Sequence, residues 1–360
     1  MSTPPLEAAW FCPLCDDDYE YLGVPDPALR SSHEHCRDVL LTAERGGFDS
    51  ILCPSGYGLG IDGVTFAGAV APLTERIRLL VAVRCGELWP PQLARQIASL
   101  DRLLGGRLAV NIISSDVPGA PVDSEPRYQR TRECMRIVRD LLDGKPVAHH
   151  GEFYDLEVDP PGVRTVSGRA PLFYFGGLSP AARRVAAEDS DVFLMWPEPL
   201  PDVERLLGDM RARALEAGRQ LTFGYRVHVI VRETESEARG AARRLVSRLD
   251  GDTGDAIRRR SLDHASVGVQ KQAEMRDAAD SDGYVEENLW TGIGRARSGC
   301  GAAIVGDPDQ VLAKLQSYAD LGIRAFILSG YPHVGECDLF ARYVLPELNH
   351  GPLRPAEEIE

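Results

Sequence analysis

The sequence predicts a (β/α)8 TIM barrel with insertions, an α/β fold. Strand-like and helix-like segments alternate along the chain, and eight strand-like segments are almost continuously apolar. Continuous apolar strands are typical of a parallel sheet that helices cover on both faces. Eight β–α units in 360 residues fit one barrel domain. A doubly wound open sheet is the alternative, but no G-x-G-x-x-G motif follows the first strand.

The elements follow from the spacing of apolar residues, taken in chain order. The predicted strands, rich in apolar and β-branched residues, cover residues 8–13, 49–55, 77–84, 107–114, 172–177, 192–197, 222–231 and 324–330. Each helix shows helical spacing, as in Leu93, Ile97 and Leu100 of the third. The predicted helices cover residues 32–47, 62–74, 90–103, 126–143, 181–188, 201–218, 234–248, 308–321 and 336–346.

Two segments interrupt this alternation. Residues 144–171 contain several prolines and glycines, and residues 249–300 are polar, charged and glycine-rich, with no predicted strand. Because long excursions from a compact domain are usually functional or disordered, we expect 249–300 to form a mobile lid. Residues 1–347 are predicted to form the single barrel domain, and residues 348–360 a solvated C-terminal tail.

The charge and hydropathy patterns exclude two classes of partner. The chain has 40 Lys and Arg against 54 Asp and Glu, a net charge of −14. This charge repels nucleic acid and anionic membrane surfaces, so we expect neither as a partner. The sequence shows no signal-peptide pattern and no apolar run near the ~20 residues of a membrane span. These features predict a cytoplasmic protein.

The eight cysteines are scattered, and in a chain of this kind we expect them to be reduced thiols. A zinc site could be drawn from Cys12, Cys15 and Cys36 with His33 and His35. Cys12, however, belongs to the apolar run AWFCPL, where a strand would bury it. We therefore predict no metal site.

Arg226 and His228 stand two residues apart in the seventh predicted strand, YRVHVIVRE. Side chains two apart on a strand share a face, so both point to the same side. A structural ion pair with a carboxylate would explain a buried arginine, but the predicted strands offer few inward carboxylates. Because an unpaired buried guanidinium is costly, a bound anionic ligand is the better explanation.

Other polar residues follow the strands at their C-terminal ends, where barrel enzymes place their active sites. Tyr331 and His333 come just after the eighth strand in SGYPH. Arg297 lies between glycines in the predicted lid, which suits a segment that closes over a site. A solvated loop is the alternative for Arg297. With Arg226 and His228, these residues would form a basic, protonatable cluster suited to a small anion.

A second group of residues suits a cofactor. In FGGLSP, Gly176 and Gly177 permit close backbone approach, and Ser179 can cap a helix that starts at Pro180. The N-terminus of such a helix can hold a phosphate, although an ordinary capped turn would look the same. Asn111 in the fourth strand could bond a planar heterocycle or a neighbouring strand. The other candidates are Tyr128, at a helix start, and Trp196, which could equally pack in the core or wall a cofactor.

The motifs LARQIASLDRLLGGRLAVNIISS, GYRVHVIVRETESEA, ENLWTGIGRARSGCGAAIVGDP and FILSGYPH resemble the luciferase-like flavin-dependent monooxygenases. Within that superfamily the chain is most similar to the alkanesulfonate monooxygenases, over residues 8–347. The resemblance implies a barrel that uses O2 and reduced FMN from a separate NAD(P)H-dependent FMN reductase. It implies cleavage of an organosulfonate to an aldehyde and sulfite, and a homodimer or homotetramer.

The resemblance also implies roles for the candidate residues. Arg226 would hold the sulfonate, and His228 would position it or handle a proton. Tyr331 would donate or stabilise a proton, His333 would support the same pocket, and Arg297 would close it from the lid. Substrate contacts would come from Trp196, Arg226 and Arg297. The flavin would be held by Asn111, Tyr128, Gly176, Gly177, Leu178 and Ser179, the last at its phosphate.

The chain departs from the family pattern in two loops. The first strand is followed by LCDDDYEYLG, where relatives often have a histidine, and the second by PSGYGLGIDG, where relatives often have a cysteine. The substrate could therefore be a sulfosugar or a specialised sulfonate. Alternatives that stay open are a flavin monooxygenase acting on a non-sulfonate substrate, a deazaflavin-dependent hydride-transfer enzyme, and a flavin-binding protein without catalysis.

Overall fold

The chain folds into a closed eight-stranded parallel barrel, which confirms the predicted (β/α)8 fold. The computed structural model describes residues 4–58, 60–115, 117–120, 122–259, 266–297 and 299–354. Their strands are β1 (Glu7–Phe11), β2 (Ser50–Cys53), β3 (Arg78–Arg84), β4 (Leu108–Ile113), β5 (Val147–His150), β6 (Asp155–Val158), β7 (Phe173–Phe175), β8 (Val192–Met195), β9 (Thr222–Val231), β10 (Tyr284–Glu286), β11 (Leu289–Trp290), β12 (Ala303–Gly306) and β13 (Ile323–Ser329).

Helices alternate with the barrel strands and cover their outer face, except for two that belong to the insertion 249–300. They are α1 (His33–Gly46), α2 (Gly63–Val70), α3 (Pro90–Leu103), α4 (Ser124–Leu142), α5 (Pro180–Asp189), α6 (Leu200–Glu216), α7 (Glu235–Leu245), α8 (Gly251–Arg259), α9 (Val267–Asp277), α10 (Pro308–Leu321) and α11 (His333–Tyr343). Their starts follow local chemistry, as where the Ser32 and Ser179 hydroxyls accept backbone N–H groups at the starts of α1 and α5. No described helix has both the length and the apolar character that a membrane crossing requires.

The barrel closes in the cyclic order β1, β2, β3, β4, β7, β8, β9, β13. Every pairing in this ring is parallel, and β9, with ten residues, is the longest of the described strands. The first residues of β9 pair with β8, whereas its last four pair with β12. Because β9 extends beyond the end of β8, its C-terminal half projects toward the barrel mouth.

The inside of the barrel is filled in layers, as in other TIM barrels. Small and aliphatic side chains such as Ala9, Leu52 and Leu80 pack in the middle layer. Below them the Tyr174 hydroxyl donates to the buried Glu7 carboxylate at the N-terminal end. Burial raises the pKa of Glu7, against the opposing effect of Arg78. The lower barrel is therefore closed, and any ligand has to enter at the C-terminal mouth.

The segment 249–300 contains more regular structure than predicted. The expectation of no strand there is wrong, because β10 and β11 form an antiparallel extension. This extension continues into β12, which pairs with both β11 and β9 and which we did not predict. The apolar run of β12 is only four residues long and stands among glycines, so its pattern resembles a loop. Helices α8 and α9 complete the insertion.

The other two irregular regions are also held in place. In segment 144–171, β5 and β6 form a hairpin, and the buried Glu133 carboxylate accepts the backbone N–H groups of residues 152–154. The tail was expected to be solvated, but its described part contacts the bottom of the barrel. Leu353 packs beside the interior layer, and its carbonyl accepts from Arg78 at 2.7 Å.

Candidate functional site

Arg226 and His228 both point into the barrel mouth from β9. Both side chains are buried, with exposures of 3 % and 0 %. Their neighbours Tyr225 and Val227 point outward and belong to the core beneath the helices. Because strand residues alternate between faces, the predicted common direction of the cation and the imidazole is what the structure shows.

One hydroxyl joins these two side chains. Ser329 lies beside His228 in the β9–β13 register, and its Oγ is 2.7 Å from His228 Nδ1. Arg226 Nη1 donates to the same Oγ at 2.7 Å. Because a guanidinium can only donate, the Ser329 hydroxyl accepts from Arg226 and can donate its own proton to His228 Nδ1. This arrangement leaves the His228 proton on Nε2, and Nε2 has no partner among the described residues.

Arg226 has no carboxylate partner among the described residues, so the structural ion pair considered above is absent. Its Nη1 also approaches the Val227 and Ile327 carbonyls, and its guanidinium stacks over the Phe11 ring at 4.3 Å. Its Nη2 is buried, and no described residue forms a hydrogen bond with it. Burial lowers the pKa of Arg226, and the nearby Arg297 charge lowers it further. The pocket therefore presents one uncompensated cation with a free donor.

Tyr331 and His333 lie against this pair. The Tyr331 ring centroid is 5.1 Å from that of His228 and 5.3 Å from that of His333. The His333 ring also stacks on the Phe11 ring, with centroids 5.7 Å apart. Burial raises the pKa of Tyr331, so its hydroxyl stays protonated at neutral pH. Burial likewise lowers the pKa of both histidines, with Arg226 adding to the effect. Both imidazoles are therefore neutral.

Arg297 reaches the same pocket from the insertion. Its Nη1 donates to Tyr331 Oη at 2.7 Å and to the Asp17 carboxylate, and its guanidinium lies 5.5 Å from the Phe11 ring centroid. Burial alone would lower the pKa of Arg297, but the Tyr331 and Asp17 groups outweigh it and raise the pKa. Arg297 is thus a fixed cation in this state of the protein, and the solvated-loop alternative does not describe it.

Two aspartates of the first loop belong to the site and were missed by the sequence predictions. Asp17 pairs with Arg297. Asp18 is buried and accepts the backbone N–H of His333 at 3.0 Å and the His35 ring nitrogen at 2.8 Å. The three consecutive aspartates after β1 were the available signal, because a run of acids at the mouth of a basic barrel needs partners.

Trp196 follows β8 at the rim and is half-buried. A Cβ added to Gly268 of α9 would lie 2.9 Å from the indole, and one added to Gly299 would lie 3.1 Å from it. The indole is therefore clasped between two glycines of the insertion. Nearby, Lys271 of α9 pairs with Glu198, which anchors the same insertion to the end of β8. Trp196 joins the lid to the barrel mouth.

The residues predicted to hold a flavin lie on the β4–β7 side of the mouth, two to three strands from β9. Asn111 on β4 and Leu178 after β7 are half-buried, and the Tyr128 ring packs edge-on against Phe175. A Cβ at Gly176 would lie 2.2 Å from a backbone oxygen. A Cβ at Gly177 would lie 2.6 Å from Ala182 and 3.2 Å from the Tyr128 hydroxyl. Neither position therefore has room for a side chain, and the turn 176–179, here called the cradle, packs closely against β8 and α5.

Next to this cradle, the Ser179 hydroxyl accepts from the Ala182 N–H at the start of the ten-residue helix α5. Helix N-termini favour phosphate, so the cradle, Tyr128 and Ser179 fit the phosphate end of FMN, and Asn111 fits a planar ring. The predicted residues therefore form two groups, one deep and cationic and one open. No group of three or more metal-ligating residues is placed to hold an ion in the described parts of the chain.

Comparison with known proteins gives the class. The family model described as luciferase-like monooxygenase matches residues 8–325, and the chain belongs to this family of enzymes. It is 63 % identical over 360 residues to a sulfoquinovose monooxygenase of Novosphingobium aromaticivorans, covering 98 % of this chain and 99 % of that protein. It is 50 % identical over 348 residues to one of Agrobacterium fabrum, covering 95 % and 89 %.

A solved structure with the same fold is riboflavin lyase, determined with modified FMN and riboflavin. Its TM-score is 0.78 at 17 % sequence identity, with 98 % of this chain and 94 % of that chain covered. At this identity the likeness shows the fold alone. The family and the two sulfoquinovose monooxygenases agree with the resemblance inferred from the motifs.

Proposed function

We propose that the chain is a two-component monooxygenase that uses reduced FMN and O2 to cleave the carbon–sulfur bond of a sulfonated sugar. The observation that supports it best is the pair of free donors at Arg226 Nη2 and His228 Nε2. Both are buried, and the described residues supply no carboxylate to Arg226. A sulfonate has one negative charge and three acceptor oxygens, so it satisfies both donors. Relatives named sulfoquinovose monooxygenases point to that sugar sulfonate as the substrate.

The overall reaction balances with one reduced flavin and one O2. One oxygen atom stays on the carbon that bore the sulfur, which becomes an aldehyde. The other oxygen atom leaves as water, sulfite is released, and the flavin returns oxidised. Reduced FMN supplies the two electrons and activates O2 when it is bound. The carbon loses one proton when it becomes a carbonyl, so a base has to accept that proton.

His333 is the imidazole that we propose accepts this proton. The Nδ1 of His228 is already bonded to Ser329, and its Nε2 holds the proton. His333 is neutral, and neither of its ring nitrogens has a partner among the described residues. One of these nitrogens is therefore a free acceptor. Tyr331, which stays protonated, is a hydrogen-bond donor in the same pocket.

Arg297 would complete the pocket and keep water out. It enters from the insertion, which we propose is a mobile lid, and binds Asp17 in the loop after β1. Trp196 would limit the size of the substrate because the lid glycines hold its indole. Asn111, Tyr128 and the segment 176–179 would hold the flavin. We also propose a separate FMN reductase as supplier, a cytoplasmic location, and a homodimer or homotetramer.

The test supplies the protein with FMN, NADH, a generic flavin reductase and O2, and measures sulfite across a panel from alkanesulfonates to sulfoquinovose. The proposal predicts sulfite above the reductase-only control, and most from the sulfosugar. Reduced FMN binding without sulfite from any member would contradict it and favour a non-sulfonate oxidation. Tight deazaflavin binding without reduced FMN binding would favour the hydride-transfer alternative.

A further inference from the structure

Arg84, the last residue of β3, has a buried guanidinium that the proposed reaction does not use. Its exposure is 5 %. Nε donates to Glu87 Oε1 at 2.8 Å, and Nη1 is buried with no hydrogen-bond partner among the residues that the structure describes. An unused buried donor is costly. Arg84 therefore has a free donor that a ligand could satisfy, as Arg226 does.

The direction of Arg84 follows from the strand. Leu80 belongs to the layer inside the barrel, whereas Val81 and Val83 face the helices. By alternation Arg84 shares the inward face with Leu80. An independent observation comes from the first loop. Burial raises the pKa of the Cys15 thiol to about 12, and the charges of Arg297 and Arg84 both oppose that rise. Arg84 therefore acts on the same mouth as Arg297.

β3, which bears Arg84, is across the barrel mouth from β9, which bears Arg226 and His228. Four steps in the strand order lead from β9 to β3, so the two strands lie opposite each other in the eight-membered ring. Arg84 is in register with Ile113, and Asn111 stands two residues earlier on the same strand. Both β4 side chains are half-buried and line the open side of the mouth. Arg84 thus belongs to the side that the flavin would occupy.

The charges indicate what kind of acceptor fits. Arg226 has no anionic partner among the described residues and suits a full anion. Arg84 is already paired with Glu87, whose side chain is 36 % exposed. Arg84 therefore has an unpaired N–H donor, but Glu87 neutralises much of its positive charge. Such a group suits an oxygen or nitrogen that shares a delocalised negative charge, as in the pyrimidine ring of a reduced flavin at neutral pH.

We infer that Arg84 donates a hydrogen bond to the pyrimidine ring of reduced FMN and makes the protein select the reduced over the oxidised cofactor. This inference rests on the proposed function, because it assumes that reduced FMN binds in the mouth. Positive charge and hydrogen bonds near the flavin ring nitrogens are known means by which proteins tune its electronics. A protein supplied with flavin by a reductase benefits from this selection, since oxidised FMN competes for the same cradle.

The test measures two dissociation constants, one for oxidised FMN and one for reduced FMN under anaerobic conditions, by quenching of protein fluorescence. The variants are R84Q, R84K and E87Q. We expect R84Q to lower the preference for reduced FMN by about tenfold, the effect of one charge-assisted hydrogen bond. R84K should retain part of the preference. E87Q should increase it, because Arg84 then loses its neutralising partner.

R84Q and E87Q are expected to change the preference for reduced FMN in opposite directions. A purely structural role of Arg84 would not produce this pattern. Equal weakening of both FMN forms in R84Q, or an unchanged ratio in both variants, would overturn the inference. If circular dichroism shows that R84Q does not fold, E87Q tests the inference by itself, because Glu87 is exposed. An increased preference for reduced FMN in E87Q would then support the inference, and an unchanged preference would overturn it. Failure of the unsubstituted protein to bind reduced FMN would instead overturn the proposed function, and sulfite release independent of Arg84 would leave that function intact.

Discussion

The hydroxyl of Ser329 on β13 is 2.7 Å from Nδ1 of His228 on β9. The same hydroxyl accepts a hydrogen bond from Arg226, so a neutral residue of one strand orders the two polar residues of the next. This contact holds the His228 proton on Nε2, where it faces the pocket. The anion site therefore depends on a serine that contacts no anion itself.

Removing this hydroxyl is expected to disorder the pocket without unfolding the barrel. S329A should lower kcat for sulfite release by about 10- to 100-fold, because a lost buried hydrogen bond costs about 1–3 kcal/mol. The control is S317A on α10, whose exposed hydroxyl only donates to the Ala313 carbonyl. Kinetics of S329A that match those of S317A would show that Ser329 does not order the site.

The ion pair between Asp17 and Arg297 is expected to hold the lid. D17N should increase the rate of protease cleavage within residues 249–300, because Arg297 loses its carboxylate partner. The matched control is E20Q in the same loop. Glu20 pairs with Arg244 at the surface, where such pairs contribute little. Reduced FMN should slow cleavage of the unsubstituted protein. A D17N cleavage rate equal to that of E20Q would argue against this anchor.

Burial of neutral His228 is expected to make stability fall in mild acid. Its pKa is lowered by burial and by Arg226, so it stays neutral where an unfolded histidine, with a pKa of about 6.5, gains a proton. The free energy of unfolding should therefore rise with pH up to about 6.5, by at most about 1.4 kcal/mol per pH unit from this group. Above that pH both states are neutral and the contribution is constant.

Urea unfolding of the unsubstituted protein and H228Q over this pH range measures the effect. The slope should be smaller in H228Q. Buried carboxyls with raised pKa values, such as Glu7, act in the opposite direction, but they are present in both proteins and cancel in the difference. Identical slopes would mean that His228 is protonated in the folded protein, and the neutral tautomer proposed for it would be wrong.

The packing of Gly268 and Gly299 against the Trp196 indole is expected to set the width of the pocket. In G268A the new methyl group would lie 2.9 Å from the indole, so the ring has to shift. We expect KM for the sulfonate to rise several-fold with a smaller change in kcat. The control is G240A on α7, where an added Cβ meets nothing within 4 Å and should stabilise the helix by about 0.5–1 kcal/mol. Equal KM values in the two variants would exclude this role for Trp196.

Much of the fold could be predicted from sequence because its strands are long apolar runs and its helices have a clear period. The shared face of Arg226 and His228 also followed from the two-residue period of a strand. β12 could not be recognised, since four apolar residues among glycines do not differ from a loop. Its pairing with β9 depends on a contact between distant parts of the chain.

The residues that contact the predicted site residues were harder to identify from the sequence. Ser329, Asp17 and Asp18 act through contacts made only when β13 and the first loop reach the mouth. Arg84 stood at the end of a predicted strand, and the same alternation that identified Arg226 could have placed it inward. Its unused donor became visible only when the position of Glu87 was known.

The central claim is that Arg226 binds a sulfonate, and steady-state sulfite release by R226Q, R226K and R205Q tests it most directly. Arg205 lies on α6 with its side chain 72 % exposed, so R205Q controls for loss of a charge. We expect R226Q to lose at least about 30-fold in kcat/KM, from about 2–5 kcal/mol for a buried charge contact, and R226K to retain more activity. R226Q activity equal to that of R205Q would contradict the account.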